Sequence, residues 1–107
     1  MAWEIEYLEE AQVDFDDLDH SQQIQVVKAI RKVSANPLPN TEGGYGKPLG
    51  NRVSSKLTGY QKIVLTKLGI RVVYCVIRKK SVMKIIVISV RNDEQVYKIA
   101  HERIHFR

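Results

Sequence analysis

Residues 69–91 read GIRVVYCVIRKKSVMKIIVISVR, two runs of β-branched and aliphatic residues separated by the charged tetrapeptide Arg78-Lys79-Lys80-Ser81. Val, Ile and Tyr suit a pleated surface buried on both faces, and a basic cluster suits a solvated turn, so the stretch reads as a central β-hairpin. Arg71 near its start and Arg91 at its end stand beside nearly continuous apolar sequence. A cation there needs an ion-pair partner or an anionic ligand, because removing it from water alone is costly.

The hairpin belongs to a chain of 107 residues, 44% hydrophobic, which predicts one compact domain spanning 1–107. The opening MAWEIEYLEE has no basic n-region, and the apolar runs are broken by Arg and Lys well short of a membrane span, so the expectation is a cytoplasmic protein with no membrane contact. Cys75 is the single cysteine and lies inside an apolar run, which reads as a small core residue. Charge is uneven. Residues 1–20 carry eight acids and no Lys or Arg, a balance of −8, while residues 21–107 carry 17 bases and four acids, a balance of +13. A basic body of this kind points to a polyanionic partner such as RNA or DNA.

Outward from the hairpin, Trp3, Ile5 and Tyr7 alternate with Glu4 and Glu6, as in a half-buried strand. Leu8, Ala11, Phe15 and Leu18 then follow helical spacing to about Asp19 or His20. Asp19 with Gln22, or Ser21 alone, suits the cap of a second helix, with Ile24, Val27, Ile30, Val33 and Val26 as its apolar stripe and Asn36-Pro37 as its stop. All three prolines and four of the six glycines fall within residues 36–55, which reads as a long loop in which Tyr45, Lys47 and Arg52 are candidates for touching a ligand. Residues 60–67 alternate weakly and read as a third strand. After the hairpin, residues 92–103 form a helix capped by Asn92 or Asp93, with Val96, Ile99, Ala100 and Ile104 on its buried side. The fold class expected is α+β: a small, mainly antiparallel sheet of about four strands, an N-terminal helical hairpin packed on it and a C-terminal helix.

Strand parity sorts the cations. A tight turn at Lys67-Leu68 places Lys62, Val64 and Arg71 on one face, with Val64 nearest Arg71. A two-residue turn at Lys79-Lys80 sends Arg91 to the opposite face, whereas a bulge, a longer turn or a position beyond the strand end brings it back. No HExxH, Cys/His metal spacing, GxSxG, GxGxxG or P-loop is present, so nothing calls for a metal or another cofactor.

The segments GKPLG (46–50), LTGYQKIVL (57–65), GIRVVY (69–74), IIVISVR (85–91) and NDEQVYKIAHERI (92–104), in this order and spacing, resemble the RelE/ParE superfamily of type II toxin–antitoxin toxins, and the RelE-type branch in particular. That resemblance implies a RelE-like fold, a metal-free endoribonuclease that cuts mRNA in the ribosomal A site, and a cognate antitoxin that wraps and silences it. Cleavage through 2′-OH attack calls for a base, cations on the phosphorane oxygens and help for the departing 5′-oxygen. By match to the family motif, Lys62 falls on a catalytic lysine and is the base candidate, since neighbouring cations disfavour its protonated form. Arg71 falls on the phosphate-stabilising arginine, Arg91 on a second arginine read as electrostatic support, and Tyr97 on the tyrosine that orients or stacks on substrate. The chain departs from the family pattern KIKL, having KIVL with Val64 at the second lysine. Lys47, Arg52, Lys56 and Lys67 are the RNA-binding cations that would compensate. The alternatives are a ParE-like inhibitor of DNA gyrase without an active site, and a basic nucleic-acid-binding module without nuclease activity.

Overall fold

A computed structural model describes residues 2–49 and 59–105. The elements in chain order are β1 (Glu4–Tyr7), α1 (Glu9–Asp16), α2 (His20–Ser34), β2 (Lys47–Pro48), β3 (Gln61–Leu65), β4 (Ile70–Ile77), β5 (Val82–Ser89) and α3 (Asp93–His105). They form a five-stranded sheet of order β1-β5-β4-β3-β2, in which β1 runs parallel to β5 and every other pairing is antiparallel. The α+β architecture is the expected one, with one more strand, because β2 forms inside the segment read as a loop.

Local sequence accounts for the ends of the helices. Asp19 accepts from the Gln22 amide at 2.9 Å while the Gln22 side chain accepts from the Asp19 amide at 3.0 Å, a reciprocal cap that starts α2. Its buried residues are Val26, Ile30, Val33 and Ser34. Ile24, placed on the buried stripe by spacing, is instead 41% exposed, because the helix turns the Val26 and Ile30 side toward the sheet. The Tyr74 hydroxyl donates to the Pro37 carbonyl at 2.9 Å, so the even-numbered side of β4 faces the end of α2. Val73, on the opposite side, pairs with Lys62, whose side chain reaches α3. The sheet is therefore covered on both faces, as its nearly continuous apolar strands require, with Val72, Val73, Tyr74, Met83, Ile85 and Val87 at its centre. Each buried aliphatic side chain contributes about 1.5–3 kcal/mol.

Residues 36–49 are not the free loop the Pro/Gly content suggested. Tyr45 N donates to Asn36 O at 2.9 Å, Gly46 N to Leu38 O at 2.9 Å and Asn40 N to Gly46 O at 2.7 Å. Gly43 turns the chain at φ 84 after a 3-10 turn at Asn40–Glu42. Arg78 adds a bidentate pair with Glu42 at 2.9 and 2.7 Å. Arg52 and Lys56 lie outside the described residues.

The two turns behave differently from each other. At Thr66 to Gly69 the chain reverses with Leu65 paired to Ile70, so Val64 stands opposite Arg71 as parity required. The second turn, a 3-10 turn at Arg78–Lys80 completed by Ser81 at φ 54, keeps the register of a two-residue turn: Ile77 pairs with Val82 and Tyr74 with Ile85. The register then slips, and Val73 pairs with Val87. Ile86 is the extra residue of a β-bulge, and beyond it Ser89 stands opposite Arg71. Among the described residues no helix is long and apolar enough to cross a membrane.

Candidate active site

Cross-strand pairing assembles one cationic face. Lys47 of β2 pairs with Lys62 of β3, Val64 of β3 with Arg71 of β4, and Arg71 with Ser89 of β5. Side chains directly opposite share a face, so Lys47, Lys62, Val64, Arg71 and Ser89 lie together. Three residues past Ser89, Asn92 starts α3 by accepting from the Gln95 amide at 2.9 Å. The cap is thus Asn92, which leaves the carboxylate of Asp93 to point elsewhere.

Asp93 points into the cations. Its Oδ2 lies 3.2 Å from Lys62 Nζ and its Oδ1 2.5 Å from Arg71 Nε. Lys62 also donates to the Tyr97 hydroxyl at 2.8 Å, and Nζ is 5.5 Å from the centre of that ring. Tyr97 follows Asp93 by four residues, one helical turn, so the two act from the same side of α3. Arg71 spends a further N–H, donating from Nη1 to the Arg91 carbonyl at 3.0 Å. The cations are the enclosed members: the Lys62 side chain is 11% exposed and that of Arg71 27%, against 44% for Asp93.

Electrostatics changes the reading of Lys62. Burial alone pulls its pKa down, but hydrogen bonds to Tyr97 and Asp93, with the charge of Asp93, outweigh burial and hold it above the usual lysine value. The expectation that neighbouring cations would favour a neutral amine is corrected: a carboxylate stands between Lys62 and Arg71, and Lys62 is an ammonium. For Asp93, burial pushes upward and is overcome by hydrogen bonds from Lys62 and Arg71, which leave its pKa below the usual value.

The expected site residues thus divide. Lys62, Arg71 and Tyr97 converge; Lys47 is exposed beside Lys62 on the same face. Arg91 lies past the end of β5 with an exposed side chain, its amide donating to Ser89 Oγ at 3.1 Å. Lys67 is not brought in. It lines a separate cleft of about 720 Å³ between the β3–β4 turn and α2, with Lys28 and Lys32. Asp93 was missed as a site residue, since it read as a helix cap. Its signal was that only four acids follow residue 20, and this one falls between Arg91 and Tyr97.

No family model matches the chain. A curated Escherichia coli protein described as a RelE-like toxin is 29% identical over 108 residues, covering 97% of this chain and 99% of the relative. A mutant of Escherichia coli toxin RelE, solved in the free state, superposes with a TM-score of 0.74 at 25% identity over 97% of this chain and 99% of that one. The chain is similar to RelE-type toxins in both sequence and fold. The intact Escherichia coli RelBE toxin–antitoxin complex contains a chain of the same fold, with a TM-score of 0.65 at 24% identity over 85% of this chain and 99% of that chain. Val64, where the resemblance to RelE-type toxins led to the expectation of a second lysine, is 38% exposed opposite Arg71, so the face has room for a larger side chain there.

Proposed function

We propose that this RelE-type toxin is an endoribonuclease that cleaves mRNA on the ribosome through attack of a 2′-OH on the adjacent phosphorus. The observation that carries the reading is the convergence of Lys62 and Arg71 on one carboxylate, with Tyr97 bonded to Lys62 and with Lys47 and Arg91 at the rim. Groups that hold a carboxylate between two cations also hold a phosphodiester, and charge develops on its oxygens as the 2′-oxygen bonds to phosphorus and the bond to the 5′-oxygen breaks. Arg71 and Lys62 stabilise those oxygens. Lys62, an ammonium, serves as a stabilising charge and as proton donor to the departing 5′-oxygen and not as the base, and the proton of the attacking 2′-OH passes to solvent water. Tyr97 orients Lys62 and offers a ring for stacking, and the exposed guanidinium of Arg91 meets the neighbouring backbone.

The partner proposed is an acidic antitoxin that folds on the basic body in the cytoplasm. Support comes from the RelBE complex among the solved neighbours. The test is controlled expression with mapping of mRNA 5′ ends and a parallel supercoiling assay. Cuts within codons of translated messages are expected; intact messages with inhibited supercoiling would overturn the nuclease in favour of a gyrase inhibitor.

A further inference from the structure

We infer that Asp93 is a positioning residue that occupies, in the free protein, the place a substrate phosphodiester takes, so that substrate enters by displacing an internal carboxylate. The inference rests on the phosphodiester-binding reading of this face. Its basis is the way Asp93 is held: one oxygen on Arg71 and the other on Lys62, the two-point contact that the non-bridging oxygens of a phosphate make with two separate cations. Lys62 and Arg71 stand on adjacent strands and are largely withdrawn from water. Without an anion between them they would repel, so the free protein needs a charge there.

The exposures say which member yields. Lys62 has its aliphatic stem enclosed and a second bond to Tyr97, and Arg71 is tied to the Arg91 carbonyl. Asp93 is the most exposed of the three side chains. Its carboxylate can swing to solvent by rotation of its own side chain, leaving the two cations set at the spacing an incoming phosphate needs. Tyr97 stays one turn further along α3, still bonded to Lys62. The arrangement raises the threshold for anions: a weakly held phosphate does not displace the carboxylate, whereas a nucleotide strand that also engages Lys47 and Arg91 does.

The test uses inorganic pyrophosphate as the probe, titrated into the purified chain and read by NMR at the Arg71 Nε–H and the Tyr97 amide. If about a tenth of wild-type molecules have the position free, Asp93→Asn should bind pyrophosphate about tenfold more tightly. Glu94→Gln removes the same charge one residue away, from an exposed side chain, and should change affinity by less than about twofold, since an exposed charge acts through screened solvent. Equal affinity in wild type and Asp93→Asn, or the same gain in Glu94→Gln, overturns the displacement. Should Asp93→Asn not fold, the wild type still decides: saturating pyrophosphate should move the titration of the Asp93 carboxyl up toward the ordinary Asp range as its cation partners leave. A titration that does not move overturns the proposal. None of these readouts needs cleavage, so loss of the displacement with mRNA cutting intact removes this inference alone. Displacement without cutting removes the nuclease and keeps the anion site.

Discussion

Arg103→Met tests whether α3 is held in place by the open edge of β5. Arg103 donates from Nη1 to Asp14 Oδ2 at 2.6 Å and to the Ile86 carbonyl at 2.9 Å, and from Nη2 to Asp14 Oδ1 at 3.1 Å. Asp14 Oδ2 also accepts from the Ile88 amide at 3.0 Å. β1 pairs with β5 only as far as Ile85, so this pair of charges from α1 and α3 satisfies backbone groups that the sheet leaves open. Breaking a fully buried pair by removing one partner costs about 3–5 kcal/mol. Here the side chains are 18% and 19% exposed and Asp14 keeps the Ile88 amide, so the loss falls to about 2 kcal/mol. With an unfolding entropy of about 0.22 kcal/mol/K for a chain of this length, that lowers Tm by about 9 °C. Thermal and urea unfolding followed by circular dichroism measure the global loss. Amide exchange at Ile88 measures the local one, and should quicken more in Asp14→Ala, which removes its acceptor. Adding Arg103→Met to Asp14→Ala should cost less than the sum of the two. A fall in Tm below about 3 °C for both single variants, with Ile88 still protected, would refute the clasp.

Single-turnover cleavage should fall by about 10²-fold or more in Arg71→Ala, Arg91→Ala and Lys62→Ala with ribosome binding retained, while Tyr97→Phe loses less and exposed Lys98→Ala is unchanged. Val64→Lys should raise the cleavage rate by supplying the absent cation, and a rate no higher than wild type would show that the cation is not limiting. Because the Asp93 pKa is lowered in the folded chain, its stabilising contribution is present above the ordinary Asp pKa and is lost as pH falls through its depressed folded value. A plot of Tm against pH should therefore lose part of its acid limb in Asp93→Asn, and parallel acid limbs would contradict the ion pairs. Gly46→Ala should destabilise by about 1–3 kcal/mol in urea unfolding, since a Cβ there would stand 2.6 Å from the Tyr74 hydroxyl and 2.9 Å from the Leu38 carbonyl oxygen. Restoration by Tyr74→Phe would identify the hydroxyl as the obstacle.

What was legible in the sequence was what local pattern controls. The central hairpin, the cap at Asp19 and the shared face of Lys62, Val64 and Arg71 follow from period, cap chemistry and parity, and all three are present. Ile24 failed because helical spacing admits several apolar stripes, and only the position of the sheet selects Val26, Ile30 and Val33. The parallel pairing of β1 with β5 was not readable, since alternation marks a strand without naming its neighbour. Lys62 and Arg71 were found by motif and parity, whereas Asp93 reaches them across 31 and 22 residues of chain. Its role depends on where α3 lands, and with it went the sign of the shift on Lys62.

The bulge in β5 makes the site a matter of counting as much as of chemistry. Ile86 has no counterpart on β4, so the strand before it and the strand after it are out of step by one place. Substituting Ile86 with Val or Leu alters packing and leaves that count intact. Removing Ile86 itself would leave Ile85 opposite Tyr74 and Val87 opposite Val73, with Ser89 still opposite Arg71, whereas removing Ile88, beyond the bulge, would bring Val90 opposite Arg71 and turn Ser89 and the departure point of α3 to the other side of the sheet. Lys62 and Arg71 would remain where they are and Asp93 and Tyr97 would leave them. A chain shorter by that one aliphatic residue would keep every charged group named above and still lose the place where they meet, so a change of length between Val87 and Asn92 unmakes the site while one at the bulge does not.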